Sequence, residues 1–242
     1  ARRLESLRAI AGDEAYKSGK NLGRRISAAT AMLYLEQEVE QANRIIMELN
    51  FRDLYWSSRN SLIPLFLLFN ADTGSRKKLL TRGATDKILD YLWTGFTEPE
   101  RKFFRKPYHV LPDQPWNFQG NMNHGFVFQT LYYFSADILK HYPKYNDQFD
   151  ATRHIELGRG VDSLKGRPEL AKMTLADYVD RHSELWRNRL LWMSKQGLWS
   201  EEMLYGNMCV NHTYSLFNHA PDPVVRQRAK MLLDVHWVMV GL

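Results

Sequence analysis

The spacing of apolar residues is the feature of this 242-residue chain that most limits its fold. Between residues 28 and 49 the apolar positions recur at alternating intervals of four and three, which is typical of an amphipathic helix. Further helices are predicted at residues 51–70, 75–94, 121–141, 171–195, 204–219 and 222–242. The last of these begins with an N-cap acid, Asp222, followed by Pro223. Strand patterns are confined to residues 108–111 and 197–200, so we expect an all-α protein.

Two irregular stretches separate the predicted helices. Residues 97–120 contain four prolines and cannot form a regular helix, and residues 142–170 contain Gly158, Gly160, Gly166 and Pro168. Long connections inside a compact domain are often functional. Paired helices with two long loops predict an (α/α) toroid, or an incomplete barrel of paired antiparallel helices, rather than a compact bundle.

We expect residues 1–242 to form a single toroid domain. The two ends of the sequence indicate that this domain is truncated at both ends. The chain starts at Ala1 without a methionine, and it stops inside the apolar helical pattern of "MLLDVHWVMVGL". We therefore expect it to be a fragment of a larger protein.

Composition excludes several classes of partner and cofactor. The net charge is +6, but the basic residues are scattered and no block of five or six occurs, which argues against nucleic acid and membrane surfaces. No apolar run approaches the roughly 18 residues of a membrane span. The single cysteine, Cys209, excludes an intrachain disulfide and a multi-cysteine metal site. Metalloprotease, nucleotide-binding and nucleophile-elbow motifs are missing, so no metal and no cofactor are predicted.

Amides and one histidine are concentrated at the start of the helix predicted at residues 121–141. Asn121 is suited to be the N-cap, which places Asn123 and His124 in the first turn. The helix dipole disfavours an imidazolium there, so His124 is expected to be neutral near neutral pH and able to accept a proton. Backbone N–H groups and the Asn123 amide suit an anionic oxygen. The alternative is a helix cap with a structural histidine.

A second polar cluster occupies residues 197–234. It contains Trp199, Glu201, Glu202, Tyr205, Asn207 and an Asn-His pair at residues 211–212. Adjacent Glu201 and Glu202 point in different directions and cannot both face one substrate bond. The Tyr205 hydroxyl can protonate a leaving oxygen, or act as a base when its pKa is lowered. By contrast, His182 and Glu184 are interpreted as part of a charged helix face.

These two regions resemble the α/α-toroid polysaccharide lyases, particularly alginate and glucuronan lyases, and related toroid proteins. The resemblance rests on the Asn-His pair of "GNMNHGFVFQTLYYFSADIL", on "WSEEMLYGN", and on the helix in "APDPVVRQRAKMLLD". It covers residues 116–140 and 197–240. It implies β-elimination on a uronate-containing polysaccharide, with an acidic polysaccharide as substrate and a periplasmic or secreted location.

The resemblance also implies roles for individual residues. Asn123 would help to neutralise the substrate carboxylate, and His124 would be the base or part of the proton-transfer pair. Tyr205 would be the acid, or both acid and base. The family usually adds an arginine to the neutralising group, for which Arg105 and Arg159 are candidates.

Other residues are expected to bind the substrate. Trp116 and Trp199 would stack on sugar rings. Asn121, Glu201 and Asn207 are expected to line the same site. Dispersed positive charge would attract a polyanion.

Two other functions stay open. An inverting glycoside hydrolase of the α/α-barrel type would use Asp113 with Glu201 or Glu202, with carboxyl groups about 6.5–9.5 Å apart. A non-catalytic helical scaffold or glycan-binding protein would have His124 and Tyr205 far apart or buried against apolar neighbours.

Overall fold

A computed structural model describes residues 2–51, 61–72, 77–97, 113, 115–116, 122–146, 174–196 and 203–240. Within these ranges it gives no side-chain description for residues 95–97, 122–125, 196, 203–208 and 239–240. The described residues form eleven helices and no strand, which confirms the all-α prediction. The two predicted strands, at 108–111 and 197–200, lie outside the described residues.

The helices fall into two compact units, Ala1–Leu92 and Trp93–Leu242. In chain order they are α1 (Arg2–Gly12), α2 (Glu14–Ser18), α3 (Leu22–Leu35), α4 (Val39–Glu48), α5 (Leu62–Phe69), α6 (Arg82–Thr97), α7 (Met122–Leu139), α8 (Pro143–Asn146), α9 (Leu175–Gln196), α10 (Met203–His219) and α11 (Pro223–Val240). Across the described ranges, no helix is long and apolar enough to cross a bilayer. The single toroid domain over residues 1–242 stays a prediction.

Helix α3 is the centre of the first unit, because α1, α2, α4 and α5 all pack against it. The helix starts where the Asn21 side chain accepts a hydrogen bond from the Arg24 N–H at 3.1 Å. Its apolar face is fully buried through Ile26, Met32 and Leu33. Burial of this face stabilises the helix more than its intrinsic propensity does.

The continuous helix predicted for residues 28–49 is broken in the structure. Helix α3 ends at Leu35 because Glu36 has a φ of 55°, and Glu38 before α4 has a φ of 50°. Glu38 also accepts a hydrogen bond at 2.9 Å from Lys17, which is buried. Helices α3 and α4 pack on each other, so both have apolar faces and the apolar period continues across the break. The period alone therefore did not reveal the break.

A buried amide delays the start of α6, which the sequence pattern places near residue 75. Asn43 accepts a hydrogen bond from the Thr81 N–H at 2.7 Å and donates one to the Leu79 carbonyl at 2.9 Å. These bonds hold the chain in a non-helical conformation up to Thr81, whose hydroxyl then accepts from the Ala84 N–H. Helix α6 consequently begins at Arg82.

Four long helices make up most of the described part of the second unit. Helix α7 packs against α9 and α10, and α11 packs against the same two helices. Helices α10 and α11 form an antiparallel hairpin, since only residues 220–222 join them. Between α7 and α9, the rings of Phe126 and Trp186 meet edge to face with centroids 5.0 Å apart.

The predicted N-cap of the last helix is confirmed. Asp222 accepts hydrogen bonds from the N–H groups of Val224 at 2.8 Å and Val225 at 2.9 Å, and Pro223 is the first helical residue. Asp222 also accepts a hydrogen bond from Arg187 of α9. One carboxylate therefore both starts α11 and ties it to α9.

Candidate functional site

The backbone places the predicted catalytic residues near the starts of two neighbouring helices. Helix α7 begins at Met122, so Asn123 and His124 lie in its first turn, as predicted. Tyr205 lies in the first turn of α10, and Asn207 follows in the next. Helices α7 and α10 pack against each other. The side chains of these four residues lie outside the described part of the structure.

Most of the other predicted site residues also fall beyond the described part of the chain. These are Asn121, Trp199, Glu201, Arg105, Arg159 and Glu202. Trp116 is described, and its relative solvent exposure is 57%. A large aromatic residue with this exposure is available to a ligand.

Trp116 lines a surface cleft of about 300 Å³ in the second unit, called here the Trp116 cleft. Its lining residues are Asp113, Pro115, Trp116, Asn188, Leu191, Trp192 and Lys195. The volume lies at the lower end of the range found for small-molecule sites. Asp113, Pro115 and Trp116 are in turn conformation and form one wall, the Pro115 turn.

Helix α9 forms the other wall of the Trp116 cleft. Asn188, Leu191, Trp192 and Lys195 are spaced at i, i+3, i+4 and i+7, which places them on one helix face. Trp192 is half-buried and Lys195 is exposed. Sequence reasoning did not select these residues, although a tryptophan flanked by an amide and a lysine on one helix face is the signal that identifies them.

The lining residues suit a polar ligand that has a flat ring face. The indoles of Trp116 and Trp192 provide flat apolar faces. The Asn188 amide and the Asp113 carboxylate can exchange hydrogen bonds with hydroxyl groups, and the Lys195 ammonium can attract an anion. Asp113, proposed from the sequence as a hydrolase acid, therefore lies in the same cleft as Trp116.

A buried arginine joins the two walls. Arg189 of α9 donates a hydrogen bond from Nε to the Pro115 carbonyl at 2.8 Å, and its Nη1 donates to Oε1 of Gln129 on α7. The guanidinium also lies 5.6 Å from the centroid of the Trp186 ring. Burial lowers the pKa of Arg189 to about 9, which leaves it a cation at neutral pH.

The interpretation of His182 as part of a charged helix face is wrong. His182 is 1% exposed, and its ring lies 5.9 Å from that of Tyr133 and 4.3 Å from that of Tyr178. Its Nδ1–H donates to the Tyr178 carbonyl at 3.0 Å, while Nε2 has no hydrogen-bond partner. Burial lowers the pKa of His182 to about 3. A neutral, enclosed imidazole is a packing residue, whereas Glu184, two residues later on the helix, is exposed.

The second Asn-His pair does not form a joint site. Asn211 is exposed and His212 is buried, because adjacent residues on a helix point in directions about 100° apart. Burial lowers the pKa of His212 to about 4. Among the described side chains, no group of three or more His, Cys, Asp or Glu residues is arranged to hold a metal ion.

Comparisons of the chain with protein-family models, with curated proteins and with solved structures give no match.

Proposed function

We propose that this chain is a polysaccharide lyase that binds a uronate-containing polysaccharide in the Trp116 cleft and cleaves it by β-elimination. The observation that carries the proposal is that Trp116 and Trp192 line one cleft together with Lys195. Sugar rings stack on indole faces, and each uronate unit adds a carboxylate that a nearby ammonium attracts. The net charge of +6 favours the approach of such a polyanion.

The location of the cleft supports a link to the predicted catalytic residues. Arg189 bonds both to the Pro115 turn and to Gln129, which lies five residues after His124 on α7. One arginine therefore contacts both a wall of the cleft and the helix whose first turn contains Asn123 and His124. A polymer that occupies several subsites would extend from the cleft toward this helix start.

In the proposed reaction, positive and hydrogen-bonding groups first neutralise the uronate carboxylate. Asn123 is proposed for this role, with Arg105 or Arg159 as the added arginine. His124 then removes the proton next to the carboxylate, and Tyr205 protonates the departing O4 oxygen. The removed proton is weakly acidic, so preorganised donors around the carboxylate must supply much of the stabilisation of the transition state.

The finer architecture and the location are part of the same proposal. The antiparallel hairpin of α10 and α11 is the kind of unit from which an (α/α) toroid is built. A uronate polysaccharide is an extracellular material, so we propose a periplasmic or secreted protein.

The lyase proposal is tested by incubating the full-length protein with alginate, with glucuronan and with a glycosaminoglycan. β-Elimination leaves an unsaturated uronate, whose ultraviolet absorbance should rise with time. A Trp116→Ala variant should form this product more slowly. Folded protein that gives no unsaturated product with any of the acidic glycans would overturn the proposal.

An inverting glycoside hydrolase is the second candidate, because Asp113 lines the Trp116 cleft. This enzyme would need a second carboxylate, from Glu201 or Glu202, about 6.5–9.5 Å away across the substrate. The same incubation distinguishes the two, since a hydrolase releases reducing sugar without the ultraviolet signal.

A further inference from the structure

We infer that Arg189 is a positioning residue that holds the Pro115 turn against α9 and so keeps the two walls of the Trp116 cleft at a fixed separation. The effect on the turn follows from the geometry alone. The effect on uronate binding rests on the proposed function.

Arg189 contacts two other elements and one ring of its own helix. Its Nε donates to the Pro115 carbonyl of the turn at 2.8 Å, and its Nη1 donates to Gln129 of α7. Its guanidinium plane lies near the Trp186 ring of its own helix. The two N–H groups belong to one rigid, planar fork, so the position of the turn is fixed relative to both helices.

At this position an arginine provides directed hydrogen bonds, which an apolar residue cannot form. Arg189 is fully buried, and burying a guanidinium costs free energy. An apolar residue of similar size often gives equal stability at a buried site, but it cannot bind a backbone carbonyl. The Pro115 carbonyl is the group that connects the arginine to Trp116, the next residue along the turn.

The neighbours of Arg189 on α9 are themselves cleft residues. Asn188 directly precedes it, and Trp192 follows three residues later. The helix segment that anchors the Pro115 turn thus also supplies the facing wall. When this anchor is lost, a ligand must order the turn during binding, and that cost lowers its affinity.

The first test measures hydrogen–deuterium exchange of the peptide that contains Pro115 and Trp116. An Arg189→Lys variant keeps the charge but loses the fork, so exchange at the Trp116 N–H should accelerate by about tenfold or more. The control is Arg187→Lys, which alters a partly exposed arginine on the same helix that pairs with Asp222 instead. Acceleration at the turn in the control as well, or unchanged exchange in folded Arg189→Lys, would overturn the inference.

A second variant covers the case in which Arg189→Lys does not fold. Gln129→Met removes the acceptor of Arg189 on α7 and leaves the arginine in place. Exchange at Trp116 should again accelerate, by a smaller factor. A folded Gln129→Met protein with the exchange rate of the wild type at this turn would also contradict the inference.

The third test is a double-mutant cycle for the binding of uronate tetrasaccharides prepared from alginate, glucuronan and a glycosaminoglycan. Arg189→Lys should weaken binding by about fivefold in the wild-type background and by less than about twofold in the Trp116→Ala background. Equal losses in the two backgrounds would show that Arg189 does not act through the turn. Faster exchange at Trp116 without any uronate binding would support the positioning role and contradict the proposed function.

Discussion

Arg187 and Asp222 form an ion pair between α9 and the start of α11, with Nε of Arg187 2.8 Å from Oδ2 of Asp222. The other carboxylate oxygen caps α11. Burial raises the pKa of Asp222, but the hydrogen bonds from Arg187 and from the Val224 and Val225 N–H groups outweigh it and leave the pKa below its ordinary value. The ionised form of Asp222 therefore stabilises the second unit, above the carboxyl pKa of the unfolded chain, and the contribution is lost as the pH falls through the folded pKa.

We predict that Asp222→Ala lowers the free energy of unfolding by about 2 kcal/mol, because both the helix cap and a charged hydrogen-bond partner are lost. Urea denaturation measures this change. Asp234→Ala is the control, since Asp234 on the same helix forms an exposed pair with Lys230 and its removal should cost less than about 0.5 kcal/mol. Equal losses for the two variants would contradict the dual role of Asp222.

His182 gives a prediction about acid stability. Its pKa is lowered from 6.5 to about 3 by burial, so the folded state binds fewer protons than the unfolded state between these values. Stability should therefore fall as the pH drops below 6.5, by up to about 1.4 kcal/mol per pH unit from this residue. His182→Phe should flatten this dependence in denaturation curves collected at several pH values.

The control for His182 is a buried residue that does not titrate. Leu190→Ala on the same helix should lower stability at every pH without changing the slope. A His182→Phe protein that keeps the slope of the wild type would show that another group causes the acid sensitivity.

Asn43 is predicted to be the polar residue on which the junction of α4 and α6 depends. Asn43→Leu would leave the Leu79 carbonyl and the Thr81 N–H without their partner, at a cost of about 2–3 kcal/mol in unfolding free energy. Arg44→Ala, at the exposed neighbouring position, should change stability by less than about 0.5 kcal/mol. Thermal or urea denaturation measures the free energy of unfolding of both variants. A change in Asn43→Leu as small as that in Arg44→Ala would refute the prediction.

The α9 wall of the cleft gives a kinetic prediction. Trp192→Ala should raise the KM for the uronate polymer by about tenfold. The variant loses a surface that stacks on a sugar ring away from the bond that is cleaved. Trp237→Ala is the matched control, since Trp237 is an exposed tryptophan that donates to Tyr214 away from the cleft. Initial rates over a range of polymer concentrations measure both, and an unchanged KM in Trp192→Ala would exclude it from the binding site.

Helical period predicted the helices because each long helix buries one face against a neighbour. The same period missed the break at Glu36 and Glu38. The helices on either side of the break bury apolar faces against each other, and the spacing of their apolar residues continues from one helix to the next. The late start of α6 depends on Asn43, which lies nearly forty residues earlier in the chain. A local pattern contains no information about such a partner.

The sequence predicts Trp116 as a residue that stacks on sugar rings, and the structure places it in the wall of a cleft. Its partners were not identified, since the cleft forms only when the Pro115 turn meets α9 more than seventy residues later. His182 illustrates the opposite error. Its charged neighbours in sequence indicated an exposed face, although its own position on the helix points between two tyrosine rings.

The central claim is that the Trp116 cleft recognises a sugar acid, and calorimetric titration tests it most directly. The wild-type chain is titrated with uronate tetrasaccharides and with the same tetrasaccharides after their carboxyl groups are reduced to alcohols. We predict binding of at least one acidic form, binding of its reduced form that is weaker by about tenfold, and binding of the acidic form by Trp116→Ala that is weaker than that of the wild type by about tenfold. Equal binding of the acidic and reduced forms, or an affinity of Trp116→Ala for the acidic form equal to that of the wild type, would contradict the claim.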